Sequence, residues 1–137
     1  MSPNNPVFLL DSYAILAYLN GESGAARVKE ILRLAQMLEC QVLLCWINLG
    51  EVLYIVDRLR DLHHAQLVLA LIESLPLKLL PVDPDLILEA AHIKAHNTIS
   101  YADAFAVAAA RQEQAVLLTG DPEFKAVETL VKIEWLS

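Results

Sequence analysis

The chain has 137 residues, 56% of them hydrophobic, with a formal net charge of −7 and a mean hydropathy of +0.44. That length supports one domain, spanning residues 1–137, with a sizeable core, and the acidic balance argues against a broad, passive nucleic-acid-binding surface. Apolar runs such as Leu67–Ile72 and Ala104–Ala110 fall well short of the roughly 18 residues that cross a bilayer, so no membrane span is expected.

The excess apolar content points instead to a sheet covered on both faces, or to an oligomer interface. The N-terminal Met1-Ser-Pro-Asn-Asn-Pro6 has no basic region and precedes only a brief apolar run, so it does not read as a signal peptide. Cys40 and Cys45 are not spaced as CxxC and read as reduced, buried small hydrophobes of a cytoplasmic protein.

In chain order, Val7–Leu10 is a continuous apolar run of the kind a buried parallel strand shows, and it ends at Asp11. Ser12–Leu19 has helical spacing and stops at Gly21. Ser23–Leu38 predicts a second helix, with Val28, Ile31, Leu32, Ala35 and Leu38 on one face. Val42–Cys45 is a second strand, followed by helices over Ile47–Arg60 and Asp61–Leu75, and Pro76 punctuates. Leu77–Val82 is a third strand, and Pro84 opens a helix reaching about His96. Ser100–Gln112 is an alanine-rich helix, a strong expectation because alanine is the best helix former. Ala115–Leu118 is a fourth strand, Glu123–Glu128 a short helix, and Val131–Trp135 a short edge strand. Strands alternating with helices predict an α/β/α three-layer sandwich around a mostly parallel sheet of four to five strands.

Ligands of open α/β sheets bind beyond the carboxyl ends of the strands, and four acids fall at that edge: Asp11, Glu51, Asp103 and Asp121. Each has a local role open to it. Asp11 and Asp121-Pro122 are suitable helix caps, and Asn48-Leu-Gly-Glu51 and Ser100-Tyr-Ala-Asp103 resemble capping boxes. Capping, however, does not require four acids at one rim. Without cations, such carboxylates repel at roughly 1 kcal/mol per close solvated pair, and far more when buried. All-oxygen ligands favour Mg²⁺ or Mn²⁺ over zinc. Asn48, Glu51 and Arg58 share a polar stripe on a largely apolar helix, which places Arg58 either at a phosphate near the metals or in solvent.

The segments Val7-Phe-Leu-Leu-Asp11-Ser12, Asn48-Leu-Gly-Glu51-Val52, Ile99-Ser-Tyr-Ala-Asp103-Ala-Phe-Ala and Leu118-Thr-Gly-Asp121 resemble, in order and spacing, those of a PIN domain. They are most similar to the toxin ribonucleases of VapBC-type toxin–antitoxin pairs, over essentially the whole chain. The resemblance implies a PIN-like fold and a metal-dependent endoribonuclease using Mg²⁺ or Mn²⁺, with its acidic site on Asp11, Glu51, Asp103 and Asp121. It further implies that Ser12 and Thr119 support those acids, that RNA is the substrate, that a small antitoxin is the partner, and that the toxin forms a homodimer. Asn48 departs mildly, standing where a serine or threonine is common. In this reading Asp11 and Asp103 are the main direct metal ligands, Glu51 binds through water or orients the nucleophile, and Asp121 completes an outer shell. The region at 12–19 and 23–38 would help grip the antitoxin.

Two other readings stay open. One is a PIN-like module retained for binding after catalysis was lost. The other is a phosphotransfer domain, although a haloacid-dehalogenase-type phosphatase wants a second acid where Tyr13 stands, and a receiver wants an acidic neighbour of Asp11. His92 and His96 share a helix face with Glu89 as a weak transition-metal candidate. His63-His64 and Lys125 read as surface, and Trp46 and Trp135 as core or interface residues.

Overall fold

A computed structural model describes residues 4–136; Met1–Pro3, half of the stretch that reads as no signal peptide, lie outside the described residues, as does Ser137. Among the described residues five strands form one sheet in the order β3-β2-β1-β4-β5, and every pairing is parallel. They are β1 (Val7–Leu10), β2 (Gln41–Cys45), β3 (Lys78–Leu80), β4 (Val116–Thr119) and β5 (Ile133–Trp135). The helices are α1 (Ser12–Asn20), α2 (Ala25–Gln36), α3 (Trp46–Leu59), α4 (Leu62–Ser74), α5 (Pro84–His96) and α6 (Tyr101–Gln112), with a short 3₁₀ helix over Pro122–Val127.

The strands read as unbroken apolar runs because both faces of the sheet are covered. Alternate residues divide between two cores. Leu9, Leu43 and Leu117 pack with the buried faces of α5, α6 and the 3₁₀ helix. Phe8, Leu10, Val42, Leu44 and Leu118 pack with those of α1, α2, α3 and α4. This is the three-layer α/β/α sandwich. Ala104–Ala110 are all buried, so α6 is an interior helix enclosed all round, and its small side chains admit close neighbours.

Several element boundaries differ from the sequence expectation. The second helix begins at Ala25, not Ser23, because Gly24 turns the chain at φ 95°. Gly21 does end α1 in the left-handed conformation, at φ 64°. The helix after β2 begins one residue early, at Trp46, with Cys45 as its cap. Asn48 therefore lies inside the helix and Glu51 beyond its first turn, and the capping box expected there does not form. Trp46 and Trp135 are not core residues; they are 41% and 38% exposed.

The strand order sets the position of the cleft. The chain steps outward from β1 through β2 to β3, then returns to the other side of β1 through β4 to β5. Connections leaving β1 and β4 diverge to opposite faces, which opens a crevice at their carboxyl ends, the usual ligand position in such sheets. Leu10 pairs with Leu118, so Asp11 and Thr119 are the next residues along adjacent strands.

Candidate active site

A cleft of about 290 Å³ lies at this edge, lined by Ser12, Tyr13, Leu16, Glu51, Ser100, Asp103, Asp121 and Glu123. Asp11 sits beneath it, 1% exposed. One of its carboxylate oxygens caps α1 by accepting from the Ala14 N–H at 2.8 Å, and the other accepts from the Thr119 hydroxyl. Thr119, itself fully buried, in turn accepts from the Asp121 N–H at 3.1 Å, coupling the first acid to the last. Glu51 accepts from the Ser12 hydroxyl, which ties α3 to the start of α1. Asn48 is fully buried and its Nδ2 donates to the Ala102 carbonyl at 3.1 Å, which holds α3 against the first turn of α6.

Ser100 caps α6 through its hydroxyl, which accepts from the Asp103 N–H at 3.1 Å. The reciprocal half of the expected capping box is missing: the Ser100 N–H donates to Glu123. A glutamate 23 residues away thus takes the job that Asp103 would perform in a local box, and the Asp103 carboxylate lines the cleft instead. Carboxylate oxygens of Asp103, Asp121 and Glu123 lie within 4.8 Å of one another, the one such trio among the described residues. Sequence reasoning missed Glu123. Its signal was a second acid at the same strand end, two residues past Asp121, but its partner is too distant in the chain for any spacing rule to find.

The electrostatics are one-sided. Burial pushes the Asp11 carboxyl up from 3.8 to about 7, against the lowering effect of Thr119 and Ala14, and Asp121 raises it further. Burial also pushes Asp103 up to about 7, assisted by Glu123, Asp121 and Asp11, with only the Ser100 hydrogen bond opposing. No basic residue lines the cleft. At an effective dielectric of 20, two carboxylates about 5 Å apart repel by roughly 3 kcal/mol. A preformed trio of hard oxygen donors with no protein cation among them fits a divalent metal ion of the Mg²⁺ or Mn²⁺ class.

Arg58 is not among the residues lining this cleft. It is exposed, with its guanidinium 5.4 Å from the Tyr54 ring centroid. Lys125 is also exposed. Glu89 is engaged by Arg111 and Gln112, so it does not complete a metal triad with His92 and His96, whose rings pack at 4.6 Å.

The family profile of the PIN domain matches residues 8–130. The chain belongs to the PIN domain family. Solved structures similar to this PIN domain include VapBC2 from Rickettsia felis bound to a promoter DNA fragment, at 18% identity and a TM-score of 0.75, covering 96% of this chain and 99% of that one. DNA-bound VapBC from Salmonella typhimurium is similar at 19% identity and a TM-score of 0.74, covering 94% and 97%. Mycobacterium tuberculosis VapC20, described as a Sarcin-Ricin loop cleaving toxin, is similar at 23% identity and a TM-score of 0.66, covering 88% and 94%. Among curated proteins none matches the chain. The whole acidic cleft falls within the matched PIN segment.

Proposed function

We propose that this PIN domain is a metal-dependent endoribonuclease and the toxin of a toxin–antitoxin pair. The observation that carries this reading is the cleft itself: Asp103, Asp121 and Glu123 gathered without a counter-cation over a buried Asp11. Asp11 and Asp103 would be main ligands of Mg²⁺ or Mn²⁺, joined by Asp121 and Glu123, and Glu51 would bind through water or orient the nucleophile. The bound ion would lower the pKa of water and offset charge developing on the departing phosphodiester oxygen. Of the chain's own groups, Thr119 and the Ala14 N–H keep Asp11 ionisable despite its burial. Ser12 orients Glu51, and Ser100 with Asn48 fixes the turn that carries Asp103. A phosphate contact by Arg58 would lie outside the cleft, where its guanidinium sits over the Tyr54 ring. Incubation of the protein with total RNA tests the reading: cleavage is expected with Mg²⁺ or Mn²⁺ and is lost with a chelator, and no cleavage with either ion overturns it.

Thr119→Val keeps the shape of a fully buried side chain and deletes the donor to Asp11. It is expected to raise the Asp11 carboxyl further and to weaken metal binding at neutral pH by roughly 10–100-fold, the scale of lost support behind a ligand. Titration calorimetry at two pH values checks this, with most of the loss recovered at the higher pH.

The antitoxin part of the reading rests on a second feature. A groove of about 520 Å³ lies between α1, α3 and α4, and its walls include Leu16, Leu19, Leu59, Leu67 and Leu71. Leu59, Leu67 and Leu71 are 75%, 54% and 41% exposed, apolar surface of the kind a partner helix could cover. Leu16 lines both this groove and the acidic cleft, so a peptide helix seated here abuts the acids. The apolar face of α2, expected to share the grip, is instead buried on the sheet through Val28, Ile31 and Leu32. Leu67→Glu is expected to weaken antitoxin binding by at least tenfold in a pull-down titration, with RNA cleavage unchanged. Exposed Ile87 and Leu88 on α5 offer apolar surface for the proposed homodimer. Among the described residues no helix is long and apolar enough to cross a membrane. The unpaired, buried Cys40 and Cys45 support a cytoplasmic setting.

A further inference from the structure

The acidic cleft lacks the usual means of holding RNA, because no lysine or arginine lines it and the chain as a whole is at −7. What gathers at this rim is aromatic. Tyr13, Trp46, Tyr101 and Trp135 follow or end β1, β2, the turn into α6, and β5, and they are 39%, 41%, 47% and 38% exposed. Tyr13 is the member that lines the cleft, beside Glu51, Asp103 and Asp121. It is also seated. Gly120 does not adopt a positive φ, so its backbone does not demand glycine. Tyr13 lies closest to it: a Cβ at 120 would fall 2.7 Å from the ring Cζ and 2.9 Å from Oη, so a larger residue there would displace the ring. Glycine lets the ring lie against the turn that carries Asp121, which puts an exposed aromatic surface next to the carboxylates.

We propose that Tyr13 is a base-stacking residue that positions an unpaired nucleotide of the RNA for cleavage, so that substrate affinity comes from nucleobase stacking rather than from phosphate charge. Every base has a π-face, and stacking on an aromatic ring holds single strands without a cationic groove. Duplex RNA keeps its bases stacked inside and offers an aromatic ring no free base face. This inference rests on the ribonuclease reading, but its test separates the two.

The test uses the full chain carrying Asp103→Asn, to suppress cutting, with Mg²⁺ and a fluorescent single-stranded RNA octamer. A set of octamers with one abasic nucleotide at each position accompanies it. The expected result is one position whose abasic version binds about tenfold more weakly, a penalty that disappears when Tyr13→Ala is added. Tyr13→Ala alone loses about the same tenfold, Tyr13→Phe and Tyr13→Trp bind as the parent, and affinity changes little with salt because few phosphates are neutralised. Equal binding by the parent and Tyr13→Ala, or an abasic penalty that persists without the ring, overturns the proposal and leaves the nuclease reading untouched. RNA binding that depends on Tyr13 in a protein that cuts no RNA with either metal keeps the stacking site and overturns the nuclease. Binding of none of these octamers overturns the stacking site, and the nuclease reading falls with it only where the protein also cuts no RNA with either metal.

Discussion

Replacing Asp103 with Asn is expected to lower metal-dependent RNA cleavage by about 10²–10³-fold, the scale on which single groups stabilising transition-state charge are worth, while leaving the fold intact. The substitution preserves size, and the Ser100 hydroxyl still caps the backbone N–H at position 103. What it removes is one charge from the Asp103, Asp121 and Glu123 trio. Because burial and three neighbouring acids push the Asp103 carboxyl up to about 7, its ionised form destabilises the metal-free protein. The same variant should therefore melt at a higher temperature than the parent at pH 8 in chelator, and the gain should shrink as pH falls through 7 and vanish below about pH 4, where the carboxyl is protonated in the folded and the unfolded chain alike. Loss of activity combined with gained heat stability is the signature of a functional acid held against the interest of the fold. Cleavage at the parent rate would show that Asp103 is no part of the chemistry.

The metal-free protein should lose stability as pH rises from about 5 to 8, the reverse of ordinary acid denaturation. Asp11 and Asp103 have folded-state pKa values of about 7 against the ordinary aspartate value of 3.8. Between those values the folded chain keeps protons that the unfolded chain has released. Stability from these two groups is thus complete below about pH 4 and is lost as pH climbs through 7, by a few kcal/mol in all. Saturating Mg²⁺ or Mn²⁺ should restore it at pH 8, because an ion that binds only the folded form stabilises by mass action and competes with the same protons. Thermal melts at pH 5.5 and 8, with chelator and with metal, check this. A melting temperature that is flat or rising with pH in chelator would remove the electrostatic basis of the site. The net charge of −7 pushes the same way, so Asp103→Asn should also flatten the profile.

Much of the fold was legible because its signals are local. Val7–Leu10 and Val42–Cys45 are apolar without alternation, which only a sheet buried on both faces permits, and the two core clusters show that burial. Ser100 reads as a cap from its hydroxyl and the alanines after it, and it does cap α6. The acids at positions 11, 51, 103 and 121 could be mapped to one rim because strand ends in a parallel sheet share an edge.

The remainder depended on the approach of segments far apart in the chain. Neither expected capping box forms whole, one because α3 starts at Trp46 and the other because Glu123 reaches the Ser100 N–H first. Trp46 and Trp135 look like core by residue type, and their exposure is decided by which strand end each occupies. The sequence by itself determined the α/β class, the strand ends and the acids that follow them, since periodicity and helix starts are properties of neighbouring residues. Only the tertiary structure decided that Glu123 joins Asp103 and Asp121, that Thr119 supports Asp11 across 108 residues, and that Gly120 makes room for Tyr13. Those are contacts between elements, and their distances are set by how the layers pack.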